Sequence, residues 1–202
     1  PEVLMGLGAG DDAAVVRTPG GDLVASTVDL FPAFTEDSFL VGRVAAFNAL
    51  SDLLATGVEP RHALAIIAVP EEARADEAEE TLFQCLSGAR SAFDEVGVSL
   101  LGGHTTTASK LMVGFAVDGL VTSEASLLRM SELEPGHRLI LTRPLGTGVL
   151  FYADMLGLLP GRWLSEVLEA VQRSNLEALR VLREVGGRGA TDVTGFGLAG
   201  HL

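Results

Sequence analysis

Helical periodicity in this chain breaks off at two glycines, Gly57 and Gly97, and a short apolar run follows each break. That alternation of β-rich runs with longer helical patterns predicts an α/β or α+β fold. Residues 13–16 and 23–28 flank the turn Thr18-Pro19-Gly20-Gly21-Asp22 and predict a hairpin. Thr35-Glu36-Asp37 offers N-caps for a helix reaching about Thr56, which Gly57 closes and Pro60 keeps from resuming. Residues 63–69 form a continuous apolar strand. Pro70-Glu71-Glu72 opens a second helix, with acids where the macrodipole favours them, and Leu82, Leu86, Ala89 and Phe93 recur at helical spacing. Further strands are expected at 98–101, 111–121 (with an irregularity at Gly119) and 138–142. Helices are expected at 146–157 and 163–185, the second long and amphipathic. Glu134-Pro135-Gly136 is strong turn punctuation, which places a boundary within 122–136. A first domain at 1–125 and a partial second domain at 130–202 follow from it.

Composition narrows the function. A chain that is 48% hydrophobic and 20% charged can bury a sizeable core. The net charge of -13, with 14 scattered basic residues, argues against nucleic acid, whose phosphates would be repelled. Clustered carboxylates can instead hold divalent cations, although acidity also serves solubility alone. The single cysteine, Cys85, rules out an internal disulfide framework and fits a reducing, cytoplasmic setting. The most apolar runs, around 63–69 and 111–117, are too short to cross a bilayer, and no signal-peptide pattern opens the chain. Pro1 is not a natural start, so the chain reads as a piece of something longer.

Several segments place small and acidic residues where an element meets a turn. In Gly6-Leu7-Gly8-Ala9-Gly10-Asp11-Asp12, glycines let the backbone approach a ligand, and two adjacent carboxylates invite a cation; an ordinary Gly-rich turn is an equal reading. Asp29 ends the run Ser26-Thr27-Val28, as a ligand or as a plain turn former. Asn48, Ser51 and Asp52 are weak helix formers inside an Ala/Leu helix, and Asn48 and Asp52 share a face at i and i+4. A nucleotide or metal site explains them, and so does a polar domain contact. Asp192 and Thr194, in Thr191-Asp192-Val193-Thr194-Gly195-Phe196-Gly197-Leu198, read as ligands or as helix N-caps. Gly102-Gly103-His104-Thr105-Thr106 follows a strand as a loop whose histidine is an acid, a base or neither. With no Lys-bearing P-loop and no Rossmann fingerprint, carboxylates converging on backbone amides suit magnesium bridging polyphosphate oxygens.

These motifs resemble the selenophosphate synthetases (selenide, water dikinases) of the aminoimidazole-ribotide-synthetase-like ATP-binding superfamily. The resemblance runs through Gly10-Asp11-Asp12-Ala13-Ala14-Val15, Thr27-Val28-Asp29, Gly42-Arg43-Val44-Ala45-Ala46, Asn48-Ala49-Leu50-Ser51-Asp52, Gly102-Gly103-His104-Thr105 and Leu141-Thr142-Arg143-Pro144-Leu145-Gly146-Thr147-Gly148. It ends with residues 191–202, its most specific block. Phrases such as Val28-Asp29-Leu30-Phe31-Pro32-Ala33-Phe34 look closest to the form fused behind a flavin-dependent pyridine-nucleotide oxidoreductase. The resemblance implies conversion of ATP, selenide and water to selenophosphate, AMP and orthophosphate. It implies that Asp12, Asp52 and Asp192 hold Mg2+, and that Ala9, Gly10, Asp11, Asp29 and Asp52 contact ATP. Gly103, His104 and Thr105 would reach ATP from the partner of a homodimer, whose N-terminal α/β domains share a barrel of strands, with the beginning of a second α/β domain following.

Two departures stand out. The family's Gly-rich segment with a Cys or selenocysteine and a Lys is expected upstream of residue 1, so the catalytic residues are not assigned here and ATP binding without complete turnover is expected. Cys85 does not substitute, being a packed thiol beside Leu82, Phe83 and Leu86. Lys110 stands where many family members carry an acid after the Gly-Gly-His turn. The alternatives are another small-molecule kinase or synthetase of the superfamily, thiamine-monophosphate-kinase-like, or an inactive nucleotide-binding dimer scaffold. Residues 191–202 argue against the first.

Overall fold

The computed structural model describes residues 2–7 and 12–201. Among them, six strands pair into one mixed sheet: β1 (Glu2–Met5), β2 (Ala14–Arg17), β3 (Leu23–Pro32), β4 (Pro60–Pro70), β5 (Ser99–Ala108) and β6 (Met112–Val121), in the order β1-β2-β3-β6-β4-β5. The predicted hairpin is β2–β3, antiparallel, with β3 extended to Pro32 and continued on its other side by β6. β6 is antiparallel to both β3 and β4, so those two run the same way, and β5 is parallel to β4. Parallel strands need long crossovers. α1 (Ser38–Ala55) carries the chain from β3 to β4, and α2 (Ala75–Val96) carries it from β4 to β5.

α1 begins and ends where its punctuation directs, and α2 ends where Gly97 directs. Asp37 caps α1 by accepting from the Leu40 amide at 2.9 Å. Gly97 closes α2 in the left-handed conformation at φ 73, which costs a glycine little. α2 begins at Ala75 instead of at Pro70, so Asp76 and Glu77 are the first-turn acids. The helices meet at two glycines. A Cβ on Gly42 would lie 1.9 Å from the Cys85 carbonyl oxygen, and one on Gly88 1.9 Å from that of Phe39. Their backbones touch, and a side chain at either position would force them apart.

Strand alternation places Leu23, Ala25, Ala63, Ala65, Ile67, Val113, Phe115 and Val117 under these helices, all buried. Phe93 of α2 meets Phe115 edge-on, with ring centroids 5.1 Å apart. Among the described residues α1 is the one helix with the length and apolarity of a membrane span, and 67% of it is buried within the domain, as a core helix must be. Among the described residues no helix packs on the opposite sheet face. Val28, Leu64 and Leu120 are 60%, 45% and 60% exposed there.

The sheet ends at Val121, just before the expected boundary, and short turns lead to α3 (Thr147–Met155), α4 (Gly161–Val171), α5 (Leu176–Glu184) and α6 (Gly197–His201). Two expectations are corrected here. Residues 138–142 form no strand: Leu139, Ile140 and Leu141 are exposed, without a neighbouring ladder to satisfy their backbone. The single helix expected at 163–185 is two, broken at Gln172–Asn175. Arg143 donates to the Ser174 carbonyl at 2.6 Å, and the Ser174 hydroxyl accepts from the Leu176 amide at 3.1 Å, so local bonds replace helical ones.

Candidate functional site

Odd-numbered residues of β3 face α1, so Thr27 and Asp29 look toward that helix. Asn48 and Asp52 look back at them. The Thr27 hydroxyl donates to Asp52 Oδ2 at 2.5 Å, and Asn48 Nδ2 donates to Asp29 Oδ2 at 2.6 Å. The three polar residues in an apolar helix are thereby explained, and Ser51 accepts from Asn175 Nδ2 at 2.5 Å. Asp12 enters from the segment before β2, and Asp192 from the segment before α6. One carboxylate oxygen from each of Asp12, Asp52 and Asp192 lies within 4.8 Å of the others. Thr191 ties the distant segments together, its hydroxyl donating to Asp12 Oδ1 at 3.0 Å.

Like charges in a half-buried site hold their protons. Asp52 is pushed up to about 8: burial is the largest cause, the Thr27 bond opposes it, and the charges of Asp29, Asp192 and Asp12 add to it. Asp192 rises to about 7, through burial and then the charges of Asp12 and Asp29. Asp29 is raised by burial against the opposing bond from Asn48. Among the described residues no ion pair involves Asp29, Asp52 or Asp192. The side chains that donate to Asp52 and Asp29, Thr27 and Asn48, are neutral, which orients a carboxylate without cancelling its charge. An all-oxygen set of this kind fits a hard divalent cation, which holds ligands at ~2.1 Å when it is Mg2+ and so gathers them to within about 4.2 Å.

The other expected site residues fall elsewhere. Gly103, His104 and Thr105 lie inside β5, which runs through the expected loop to Ala108. Gly103 is there because a Cβ would stand 2.1 Å from the Ala65 carbonyl oxygen of β4. β5 is three strands from β3, a span of ~14 Å at ~4.8 Å per strand, so one chain does not bring these three residues to the acids. Ala9, Gly10 and Asp11 lie outside the described residues. Asp192 does not cap a helix; it joins the acids. Cys85 is fully buried in α2, and burial pushes its thiol up to about 11. Sequence reasoning missed Thr27 and Thr191 as donors, and their position beside Asp29 and Asp192 was the available signal.

Residues 10–121 match the family described as AIR synthase related protein, N-terminal domain. The chain belongs to this family. Among curated relatives of this AIR-synthase-related chain, the selenide, water dikinase of Nitratidesulfovibrio vulgaris (strain Miyazaki F) is 41% identical over 201 residues, covering 98% of this chain and 56% of the relative. Those of Carboxydothermus hydrogenoformans and Enterobacter sp. are 38% and 39% identical, each over 100% of this chain and 57% of their own length. The chain thus spans somewhat over half of the relatives it matches. Solved structures share the fold of this AIR-synthase-related chain. AaThiL complexed with AMPPCP and TMP aligns with a TM-score of 0.68 at 17% identity, over 87% of this chain and 57% of that one. E. coli HypE, a hydrogenase maturation protein, aligns at 0.67 and 19%, over 87% and 54%.

Proposed function

We propose that this chain supplies the magnesium–ATP site of a selenide, water dikinase, an ATP-dependent phosphotransferase that yields selenophosphate, AMP and orthophosphate. The observation that carries the reading is the convergence of Asp12, Asp52 and Asp192, drawn from three distant stretches of sequence, to within 4.8 Å. The choice of selenide over other acceptors is supported by relatives of that name matched over nearly the whole chain. In this reading the three acids hold the cation, and Ala9, Gly10, Asp11, Asp29 and Asp52 contact the nucleotide. Bound magnesium would offset the charge that builds on the phosphates as they transfer.

The open sheet face supports a homodimer. It exposes Val28, Leu30, Leu64 and Leu120 on one side of a sheet whose other side packs against α1 and α2, and a second copy would cover it. Gly103, His104 and Thr105, exposed on the edge strand β5, would then serve the partner's nucleotide. A cytoplasmic setting suits the buried, reduced thiol of Cys85.

Calorimetric titration with ATP, with and without magnesium, tests the site. Magnesium-dependent binding is expected in the wild type and strongly weakened binding in Asp12→Asn and Asp52→Asn. Equal binding by all three proteins would refute the assignment. Selenide-dependent AMP release by the full-length protein separates a dikinase from a simple kinase, which leaves ADP.

A further inference from the structure

We propose that the Thr27 hydroxyl is a positioning group that aims the Asp52 carboxylate at a divalent cation shared with Asp12 and Asp192. The inference rests on the metal reading above and adds a residue to it. Asp52 lies near the end of α1, on the face turned toward β3, and its carboxylate could swing about its side-chain torsions. The Thr27 bond to Oδ2, at 2.5 Å, removes that freedom.

Thr27 is suited to the task for three reasons. A β-branched side chain is stiff at χ1, so the backbone dictates where the hydroxyl points. That backbone is pinned, because Thr27 pairs with Val117 of the central strand β6. The donor is neutral, so it fixes one carboxylate oxygen and leaves the charge for the cation. Asn48 on Asp29 at 2.6 Å and Thr191 on Asp12 at 3.0 Å follow the same pattern. A lysine in any of these places would orient equally well but would compete with the metal. Outer groups that hold metal ligands in this way typically govern affinity about 10- to 100-fold.

The test is Mn2+ titration of the protein, followed by the electron paramagnetic resonance of free Mn2+, on wild type, Thr27→Val and Thr27→Ser. Val keeps the shape and loses the donor; Ser keeps the donor. The expected result is Mn2+ affinity lowered about 10- to 100-fold in Thr27→Val and close to wild type in Thr27→Ser. Thermal melting in chelator checks the metal-free fold. A purely structural role would lower that melting point and leave Mn2+ affinity unchanged, which would overturn the proposal. Thr27→Ala removes the same hydroxyl with less steric demand, and failure of both Val and Ala variants to fold would likewise overturn it. Absence of Mn2+ binding in the wild type would refute the metal reading itself, whereas normal wild-type binding with an unaffected Thr27→Val would refute only the role of Thr27.

Discussion

Replacing Asp52 by Asn should stabilise the metal-free protein while removing its cation site. In the folded chain Asp52 stands at about 8, against 3.8 for an ordinary aspartate. At ~1.4 kcal/mol per pH unit, that displacement bounds the penalty of ionising it in place at ~6 kcal/mol. Water and side-chain relaxation take up much of this, leaving a net gain of about 2 kcal/mol for a neutral isostere at pH 8. Asn preserves the geometry, because its amide oxygen still accepts from Thr27 and its NH2 can donate toward Asp12 or Asp192. The sign with pH follows from proton counting. The folded chain keeps the Asp52 proton over a range in which the unfolded chain has lost it. Wild-type stability therefore falls as pH rises from about 4 to about 8 and then levels off. Asn cannot titrate, so its advantage should be small near pH 4 and reach about 4–8 °C in melting temperature at pH 8. Melting curves in chelator across this pH range are the assay, and magnesium should reverse the order by raising the wild type alone. A lower melting point for Asp52→Asn at pH 8, or a difference independent of pH, would refute the reasoning.

Three further outcomes are expected. Gly88→Ala pushes a Cβ to 1.9 Å from the Phe39 carbonyl oxygen and should lower stability by about 3 kcal/mol, measured by urea denaturation. Asp37→Ala removes the cap on the Leu40 amide and should cost about 1 kcal/mol in the same assay, with Asp37→Ser recovering most of it. Cys85 should resist alkylation at pH 8 in the native protein and react fully in denaturant, since burial both shields its thiol and raises it to about 11.

The elements legible in the sequence are those whose boundaries are local. Asp37, Gly57 and Gly97 mark the ends of α1 and α2 by short-range chemistry, and the alternation in β3 and β6 declares which face is buried. What escaped depends on distant partners. β5 continues through Gly102-Gly103-His104 because β4 lies alongside, although two glycines in a row argue for a loop. The break between α4 and α5 depends on Arg143, whose guanidinium reaches the Ser174 carbonyl from 31 residues away. Residues 138–142 have strand composition, but no neighbouring strand completes a ladder. β1 is four residues long and shows no periodicity of its own. The acids behaved the same way: each was visible as an oddity, while the grouping of Asp12, Asp52 and Asp192 came from the resemblance and not from spacing.

One part of that grouping does follow from geometry. β3 and α1 run in opposite senses where they touch, so Thr27 meets Asp52 while Asp29 meets Asn48. Two residues of strand advance ~6.7 Å and four residues of helix advance ~6.0 Å, so the two spacings nearly match. Thr27-x-Asp29 and Asn48-x-x-x-Asp52 are therefore complementary rulers laid against each other. Shifting either by one residue would rotate its polar pair off the shared face and leave the opposing carboxylate or amide without its partner. A one-residue deletion in α1 between Asn48 and Asp52 should accordingly weaken Mn2+ binding even if the helix survives, because the helix can then keep only one of the two pairs in register.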